Sequence, residues 1–297
     1  MITVSLSHNR SLHLHNSPLV MGILNATPDS FFAGSRINEG ENAVARARRM
    51  IADGADLLDI GGESSRPGSD YVDANEEIAR VVPVIRAIRA FSDIPISIDT
   101  RKLAVAREAV SAGADMINDI SALRDDPGLA RYVAERDIPV VLMHMRGTPR
   151  TMQQNPHYDD VVAEVIAELT AMADAAMAAG IGRDRVIIDP GIGFGKRQQD
   201  NLALLRAVDR LVETGFPVLI GASRKAFIGA LIAPAGEPPR SPEERLAGTL
   251  AVHLHAAAAG AHILRVHDVA ETVQALRVAH ELRTQQAAVQ PSAGGAT

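Results

Sequence analysis

The sequence contains no cysteine and no tryptophan, and only 3% of its residues are aromatic. Without cysteine, the chain can form no disulfide bond and cannot use a thiol as a nucleophile or as a ligand for a soft metal. With so few aromatic side chains, the core must consist mainly of Val, Ile, Leu, Ala and Met, which is typical of a parallel sheet covered by helices. These absences favour an α/β protein.

Long apolar runs and runs of basic residues are also missing. No apolar stretch approaches the ~20 residues of a membrane-spanning helix, and the formal net charge of −6 comes without a basic cluster that could bind nucleic acid. The first 17 residues lack the basic segment and the following apolar segment of a signal peptide. We therefore expect a cytoplasmic protein that binds neither membranes nor nucleic acid.

The sequence does contain a series of eight short apolar runs, each followed by a polar residue. In chain order, these polar residues are Asn25, Asp59, Asp99, Asn118, His144, Asp189, Lys225 and Arg265. An alanine-rich helical pattern lies in nearly every gap, and alternating strands and helices require a parallel sheet with right-handed crossovers. Eight such units favour a closed (β/α)8 barrel over an open sheet. Because the active site of such a barrel is built at the carboxyl ends of its strands, we expect these polar side chains to form one site.

The chain is interpreted as one domain of the α/β class, a single (β/α)8 TIM barrel over residues 1–284. Residues 1–18 form an N-terminal extension, a short hairpin or strand that could close the bottom of the barrel. Residues 285–297 have the composition of a disordered tail. The predicted helices cover residues 39–54, 74–91, 102–112, 128–136, 159–179, 199–213, 242–259 and 269–283.

Seven segments around the predicted strand ends resemble a known family. They are MGILNATPDSFFAGSR (21–36), DIGGESSRPGS (59–69), SIDTRK (97–102), INDISA (117–122), DPGIGFGK (189–196), IGASRKAFIG (220–229) and LRVHDV (264–269). Together and in this order they resemble the dihydropteroate synthases, the pterin-binding TIM barrels of folate biosynthesis that sulfonamides inhibit. The resemblance runs from residue 19 to residue 282 or thereabouts. It implies a transferase that condenses (7,8-dihydropterin-6-yl)methyl diphosphate with 4-aminobenzoate to give 7,8-dihydropteroate and pyrophosphate.

For the pterin, the resemblance implies binding by seven residues. They are Asp59, Asp99, Asn118, Met143, Asp189, Gly221 and Lys225. This set suits a flat heterocycle, because a buried carboxylate such as Asp189 offers paired acceptors to an amidine-like edge, and Lys225 can donate to a ring carbonyl. The alternative for any single aspartate is a helix N-cap or a turn residue, since aspartate favours both positions.

The resemblance places the anionic parts of the substrates nearby. 4-Aminobenzoate is expected against Ser65, Arg66, Pro67, Phe194 and Ser223, and the diphosphate against Asn25, Arg66, Arg265 and His267. Arginine and histidine would act as cationic donors to phosphate, with a surface salt bridge as the alternative for Arg265 and His267. Asn25 would be the protein ligand of Mg²⁺, which otherwise binds through substrate phosphates and water. The residues assigned to catalysis are Arg66, Asp99, Lys225, Arg265 and His267.

Two positions differ from the family pattern and keep other functions open. Ser65 stands where the family usually has threonine, and Ala33 stands where the first loop usually has an acid. One alternative is a related barrel that transfers methyl groups from methyltetrahydrofolate to a corrinoid, which would need neither segment 65–67 nor segment 265–267. The other is a non-catalytic pterin-binding paralogue, which the altered first loop motivates.

The segment 246–261 predicts a helix that is apolar around most of its circumference. A helix with apolar residues on its outer face as well as its inner face needs a second surface to cover it. We therefore expect a homodimer formed through the last two barrel helices, and the resemblance implies the same. The alternative is that the tail folds over this helix within one chain.

Overall fold

The computed structural model describes residues 2–15, 17–26, 43–64, 68–69 and 71–289, with Asn9 and residues 284–289 described by their backbone alone. Ten strands lie within these ranges. They are β1 Ile2–Ser5, β2 Ser11–Leu14, β3 Leu19–Asn25, β4 Leu57–Gly61, β5 Ile96–Asp99, β6 Met116–Asp119, β7 Val140–Met143, β8 Val186–Asp189, β9 Leu219–Ile220 and β10 Ile263–Val266.

The strands β3 to β10 pair in parallel as one sheet, and the sheet closes on itself. The order of neighbours is β8-β7-β6-β5-β4-β3-β10-β9. A bridge between Ile188 on β8 and Val218, directly before β9, joins the two edges. The predicted (β/α)8 barrel is therefore confirmed. The end at which the strands have their carboxyl termini is called the mouth below.

Ten α-helices cover the outside of the barrel in the described part of the chain. They are α1 Ala43–Ala52, α2 Ala74–Arg89, α3 Leu103–Ser111, α4 Pro127–Glu135, α5 Val161–Ala178, α6 Gln198–Arg206, α7 Val208–Val212, α8 Ala226–Ile232, α9 Leu246–Ala258 and α10 Val269–Val289. None of the helices in these ranges is both long enough and apolar enough to cross a membrane.

The predicted helices are present, with three differences in extent. The predicted helix 199–213 is divided at Ala207 into α6 and α7, because the backbone of that residue leaves the helical region. The predicted helix 242–259 begins with a 3₁₀ turn, Pro242–Arg245, before α9. The last helix continues to Val289, past the predicted boundary at residue 284, and the prediction for residues 290–297 lies outside the described residues.

Local sequence signals explain where several helices start. Asp73, Asp126 and Asp160 precede α2, α4 and α5, and each side chain accepts hydrogen bonds from backbone N–H groups of the first turn. Such caps satisfy donors that have no partner within the helix. These three aspartates are therefore structural, as the N-cap alternative expects for aspartates away from the strand ends.

The N-terminal hairpin, β1 and β2, closes the bottom of the barrel. The two strands are antiparallel, with Ile2 opposite Leu14 and Ser5 opposite Ser11. Apolar hairpin residues share one buried cluster with residues from the amino-terminal halves of the barrel strands. The cluster comprises Val4, Leu6, Leu12, Leu14, Met21, Leu57, Met116, Val141, Ile187, Leu219 and Ile263. The predicted position of the N-terminal extension is confirmed.

A buried carboxylate fixes this hairpin to the barrel. Asp115 is fully buried, and its Oδ1 accepts from Arg10 Nη1 at 2.5 Å, while its Oδ2 accepts from Arg89 Nη2 at 2.5 Å and from the backbone N–H of Ile96 at 2.8 Å. Arg10 belongs to the hairpin, Arg89 ends α2, and Asp115 precedes β6. One charge therefore connects three separate parts of the chain.

We expect Asp115→Asn to lower the free energy of unfolding by about 3 kcal/mol, because it leaves two largely buried guanidinium groups without their carboxylate. Urea unfolding followed by circular dichroism measures the change. Asp93→Asn is the matched control, since Asp93 contacts Arg10 at 3.2 Å but its side chain is 96% exposed. The control should cost less than about 0.5 kcal/mol. Equal losses for the two variants would contradict this account of the hairpin.

Candidate active site

The strand register brings polar residues to one level of the mouth. Asn25 on β3 pairs with Gly61 on β4, Gly61 with Asp99 on β5, and Asp99 with Asn118 on β6. Asp189 is the last residue of β8, further round the barrel. Each of these residues ends, or nearly ends, an apolar strand, which is why the strand-end pattern of the sequence predicted their convergence.

Arg265 on β10 lies at the centre of the polar group. Its Nε donates to Asp59 Oδ2 at 2.5 Å and its Nη2 donates to Asp99 Oδ2 at 2.8 Å. Asn118 Nδ2 donates to the same oxygen of Asp59 at 3.0 Å. The Oδ1 atoms of Asp59 and Asn118 are buried and have no hydrogen-bond partner among the described residues. These two oxygens are acceptors whose capacity for hydrogen bonding is not used by the described residues.

Two carboxylates in the mouth, Asp59 and Asp99, share the single guanidinium of Arg265. Burial raises the pKa of Asp99 to about 7, and the nearby charge of Asp59 adds to this rise, whereas Arg265 opposes it. Two carboxylates sharing one guanidinium cannot both be fully compensated. The same two carboxylates raise the pKa of Arg265 against the effect of its burial, so this arginine stays charged. The pair formed by Asp59 and Asp99 is thus short of positive charge in the ligand-free chain.

Gly221 lies beside both Asp189 and Arg265 in the mouth. Burial raises the pKa of the Asp189 carboxyl, and a hydrogen bond from the backbone N–H of Gly191 to Oδ1, at 2.7 Å, opposes the rise. A Cβ atom at Gly221 would lie 3.8 Å from Asp189 Oδ2 and 3.9 Å from Arg265 Cβ. Glycine at this position leaves the volume of a side chain free beside the two charged groups, which makes a small opening in the wall of the mouth.

An apolar wall completes the mouth on the side of β7 and β8. The Lys225 ammonium lies 4.0 Å from the centre of the Phe194 ring, an arrangement in which the face of the ring attracts the cation. Phe194 belongs to a separate buried cluster, whose other members are Ile120, Met143, Met145 and Met152. Met143, Phe194 and Lys225, predicted separately for two substrates, thus lie in one part of the mouth.

Ser223 and His267 form a hydrogen-bonded pair at the edge of the mouth. The backbone N–H of His267 donates to Ser223 Oγ at 3.1 Å, and His267 Nδ1 lies 3.0 Å from the same oxygen. Burial, with the charges of Arg265 and Arg224 adding to it, lowers the pKa of His267 to about 3. The His267 ring is therefore neutral in the ligand-free chain, where it offers one N–H donor and one acceptor nitrogen. That His267 acts as a cationic donor to phosphate stays a prediction.

Several predicted site residues lie outside the described residues. These are Ser65, Arg66 and Pro67 of the second loop, and Ala33 of the first loop. Asn25 is described and ends β3. In the described part of the chain, no three His, Asp or Glu side chains are grouped so that they could hold a metal ion. The amide oxygen of Asn25 is a hard ligand of the kind Mg²⁺ accepts.

His144 follows the strand β7, but its ring contacts other residues than the carboxylate group of Asp59 and Asp99. Its ring is fully buried, Nε2 contacts Glu168 Oε2 at 2.9 Å, and Nδ1 contacts Lys196 Nζ at 3.0 Å. Burial and the charge of Lys196 lower the pKa of His144 to about 3, so the ring is neutral. Lys196 lies in the segment 189–196 that carries the resemblance, but sequence reasoning assigned it no role.

Sequence reasoning also missed an ion-pair group below the second loop. Lys102 Nζ donates to Glu77 Oε2 at 2.5 Å and to Glu63 Oε2, and Arg101 donates to Glu63 Oε1 at 3.1 Å. Glu63 follows the two glycines at the end of β4, and Glu77 is fully buried on α2. No pattern within either segment indicates this pairing, because the partners are far apart in sequence.

Comparison with known proteins identifies the family. The model of the family described as "Pterin binding enzyme" matches residues 21–267. The dihydropteroate synthase of Escherichia coli K12 is 47% identical over 261 residues, which cover 88% of this chain and 90% of the E. coli protein. The chain belongs to the dihydropteroate synthase family.

Solved structures of dihydropteroate synthases have the same fold along nearly the whole chain. The structure of the Xanthomonas albilineans dihydropteroate synthase with 4-aminobenzoic acid matches with a TM-score of 0.85 and 49% identity, covering 97% of this chain and 99% of that chain. A second structure of that enzyme, in complex with 7,8-dihydropteroate, matches with a TM-score of 0.82 and 48% identity, covering 97% of this chain and 100% of that chain. The resemblance that the seven segments carry is confirmed.

We expect the Asp99 carboxyl of the ligand-free protein to titrate with a midpoint of about 7. A pKa above the unfolded value means that this group stabilises the fold fully below the unfolded pKa, and that the contribution is lost as the pH rises through about 7. Carboxyl ¹³C NMR measures the midpoint. Arg265→Ala should raise it by removing the counter-charge, and Asp59→Asn should lower it by removing the like charge. Shifts in the same direction for both variants would contradict the shared-guanidinium arrangement.

Proposed function

We propose that this protein is a dihydropteroate synthase, which joins (7,8-dihydropterin-6-yl)methyl diphosphate to 4-aminobenzoate and releases pyrophosphate. The observation that carries the proposal is the pair of buried, unpartnered acceptor oxygens of Asp59 and Asn118, close to the charged groups of Asp99 and Arg265. Unsatisfied buried acceptors are costly unless a ligand supplies donors. A pterin has ring N–H and amino donors that match them.

The pterin would lie between Asp189 and the apolar wall. Asp189 accepts from the amidine-like edge, Lys225 donates to the ring carbonyl, and Met143 contacts a ring face. Gly221 has no side chain to obstruct a ring beside Asp189 and Arg265, whose nearest atoms lie 3.8 and 3.9 Å from the place of a Cβ at this glycine. A Xanthomonas relative holds 7,8-dihydropteroate, which contains this heterocycle.

4-Aminobenzoate would lie against Phe194 with its carboxylate toward Ser223. Ser223 is 4% exposed, and its hydroxyl is already oriented by His267. The predicted contacts with Ser65, Arg66 and Pro67 would complete this side. The Xanthomonas relative solved with 4-aminobenzoic acid supports the ligand class.

The diphosphate would lie beside His267 and Arg265. A cavity next to His267 extends to Asp268, to the first residues of α10 and to Arg46 and Arg49 on α1. The amino terminus of the 21-residue helix α10 and the two arginines favour an anion there, whereas the carboxylates of Asp53, Asp268 and Glu271, which also line the cavity, oppose it. Arg265 can reach the diphosphate only by sharing its donors with Asp59 and Asp99, so binding would draw it partly away from the carboxylates.

Mg²⁺ fits as an ion that arrives with the diphosphate. Asn25 would hold it through its amide oxygen, and phosphate oxygens and water would supply the remaining ligands, because no carboxylate cage exists in the described residues. When bound, the ion neutralises charge on the phosphates. We accordingly expect Mg²⁺ to bind this protein weakly without diphosphate and tightly with it.

The reaction needs electrostatic stabilisation rather than an activated nucleophile. The amine nitrogen of 4-aminobenzoate forms the new C–N bond with its lone pair, the C–O bond to the diphosphate breaks, and the amine loses one proton to solvent. Arg66, Arg265 and His267 would donate to the departing pyrophosphate. Asp99, Asp189 and Asn118 would face the positive charge that develops on the pterin methylene and ring.

A coupled pyrophosphate-release assay with both substrates tests the function. We expect release that depends on both substrates, whereas a methyltransferase or a non-catalytic paralogue would release none. Lys225→Ala should lower kcat/KM by more than about tenfold, or ~1.4 kcal/mol, because it removes the donor to the pterin ring. Arg206→Ala, on the exposed side of α6, is the control and should retain full activity. Retention of more than a tenth of kcat/KM in Lys225→Ala would remove Lys225 from the site.

We further propose that the protein is a cytoplasmic homodimer joined through α9 and α10. The outward face of α9 exposes Ala247, Ala251 and Ala258, whose small side chains allow close approach. On α10, Val278 and Leu282 are 61% and 65% exposed, one helical turn apart. Exposed apolar side chains on two adjacent helices form a surface that a second copy can cover.

Light scattering at micromolar concentration tests the dimer. We expect a mass near twice 31.5 kDa for the unaltered chain and near 31.5 kDa for the double variant Val278→Glu, Leu282→Glu, because two carboxylates cannot be buried in the interface. Leu231→Glu, at an exposed apolar position on α8, is the control and should stay dimeric. Removal of residues 286–297 should also leave the dimer intact. A mass of 31.5 kDa for the unaltered chain would disprove the dimer.

A further inference from the structure

Lysine is rare in this chain and is confined to the mouth. The sequence has three lysines, Lys102, Lys196 and Lys225, against 27 arginines. The other cationic positions, including those on the surface, are arginine. Lysine differs from arginine in being a compact charge with three tetrahedral donors. Of the three lysines, Lys225 has a role in the proposed function and Lys102 pairs with two carboxylates, Glu63 and Glu77. Lys196 has neither a role in the proposed function nor a carboxylate partner among the described residues.

The Lys196 ammonium is buried and makes three hydrogen bonds to neutral acceptors. It is 3% exposed, and Nζ contacts His144 Nδ1 at 3.0 Å, the His144 carbonyl oxygen at 3.3 Å and the Phe194 carbonyl oxygen at 3.0 Å. Three acceptors match the three donors of the ammonium. Burial lowers the pKa of Lys196 to about 7, and the charge of Asp189 opposes this effect. A buried ammonium is costly, so a side chain needed only to fill space would be apolar.

These bonds tie down the middle of the loop that carries Phe194, while Tyr158 and Asn201 bond to the backbone of its glycines. The loop after β8 contains Gly191, Gly193 and Gly195, all with positive φ, and a Cβ at Gly191 would lie 2.0 Å from the His144 carbonyl oxygen. Such a glycine-rich backbone has many alternative conformations, so its geometry must be set by its bonds. Lys196 supplies a charged bond within the loop and a charged bond from the loop to the end of β7.

The remaining bonds of His144 orient it as the acceptor for Lys196. Because the ring is neutral and Nδ1 accepts from the ammonium, the proton lies on Nε2 and is donated to Glu168 Oε2 at 2.9 Å. Glu168 is held in turn by Arg146 Nε at 3.0 Å. A chain of hydrogen bonds therefore runs from Arg146 near the surface to the Phe194 carbonyl in the mouth.

We propose that Lys196 is a positioning residue, whose ammonium fixes the carbonyl groups of His144 and Phe194 and thereby holds the Phe194 ring against Lys225. That the fixed ring strengthens the binding of 4-aminobenzoate rests on the proposed function. That Lys196 fixes the ring does not rest on it, so the position of the ring and the binding of 4-aminobenzoate can be tested separately.

The position of the ring is read in the ligand-free protein by NMR. With ¹³C-labelled lysine, each of the three lysines gives one set of side-chain signals. We expect the set of Lys225 to be shifted upfield by the Phe194 ring, whose centre lies 4.0 Å from Nζ. We expect Lys196→Met to move the Lys225 signals most of the way to their positions in Phe194→Leu, where no ring is present. Arg197→Met is the matched control, because Arg197 pairs outward with Asp200 and should leave them in place. Unchanged Lys225 signals in folded Lys196→Met would overturn the proposal.

The absence of native cysteine allows the ammonium to be restored chemically. In Lys196→Cys, alkylation of the unfolded protein with 2-bromoethylamine rebuilds a side chain of lysine's length with a terminal ammonium, and alkylation with 1-iodopropane gives the same length ending in a methyl group. Both products are refolded and compared by circular dichroism before assay. The two products have side chains of the same length and differ only at the last atom, which is an ammonium nitrogen in one and a methyl carbon in the other. A difference between them therefore cannot come from a change in side-chain volume.

We expect the aminoethyl product to recover the Lys225 shift and a KM for 4-aminobenzoate within about threefold of the unaltered protein. The propyl product should show a KM about tenfold higher or more. Recovery of both quantities by the propyl product would mean that Lys196 only fills space, and failure of the aminoethyl product to recover the shift would equally overturn the proposal. If the unaltered chain releases no pyrophosphate at all, the proposed function fails while the NMR comparison still decides the role of Lys196.

Discussion

The mouth of this barrel depends on one guanidinium shared by two buried carboxylates. Arg265 on the strand β10 donates to Asp59 on β4 and to Asp99 on β5, so a single side chain spans the barrel interior. Removing Arg265 would leave two buried carboxylates without their shared partner, which is far more costly than the ion pairs are worth. The geometry of the remaining site follows, because Asn118 is oriented by Asp59 and the opening at Gly221 is bounded by Arg265.

Arginine and lysine occupy different kinds of positions in this chain, because their charged groups present hydrogen-bond donors in different geometries. Arginine is used where a planar group must join two acceptors, as at Arg265 between carboxylates and at Arg10 and Arg89 around Asp115. Lysine is used where one point must satisfy acceptors in several directions, as at Lys196. The composition of the chain therefore reflects the geometry of its acceptors as well as its net charge.

The fold could be predicted from the sequence because its signals are local. Each apolar strand is followed by a polar residue, and capping aspartates such as Asp73 and Asp160 mark helix starts within three residues. The pairing in the mouth could not be predicted in this way. Arg265 and Asp59 are 206 positions apart, and both choices of partner for Arg265, a carboxylate or a phosphate, are chemically sound from sequence alone. His144 shows the same limit, because its strand-end position is correct while its ring contacts Lys196 and Glu168 instead of the carboxylate group.

The hairpin at the bottom of the barrel limits the routes by which substrates can enter and products can leave. Its apolar residues Val4, Leu12 and Leu14 fill the end opposite the site, and the charge of Asp115 keeps them there. Everything that reaches the site must therefore enter and depart by the same opening. In a reaction with two substrates and two products, a product that is leaving occupies the mouth through which the next substrate must enter. The order of substrate binding and product release therefore depends on the shape of the barrel as well as on affinity.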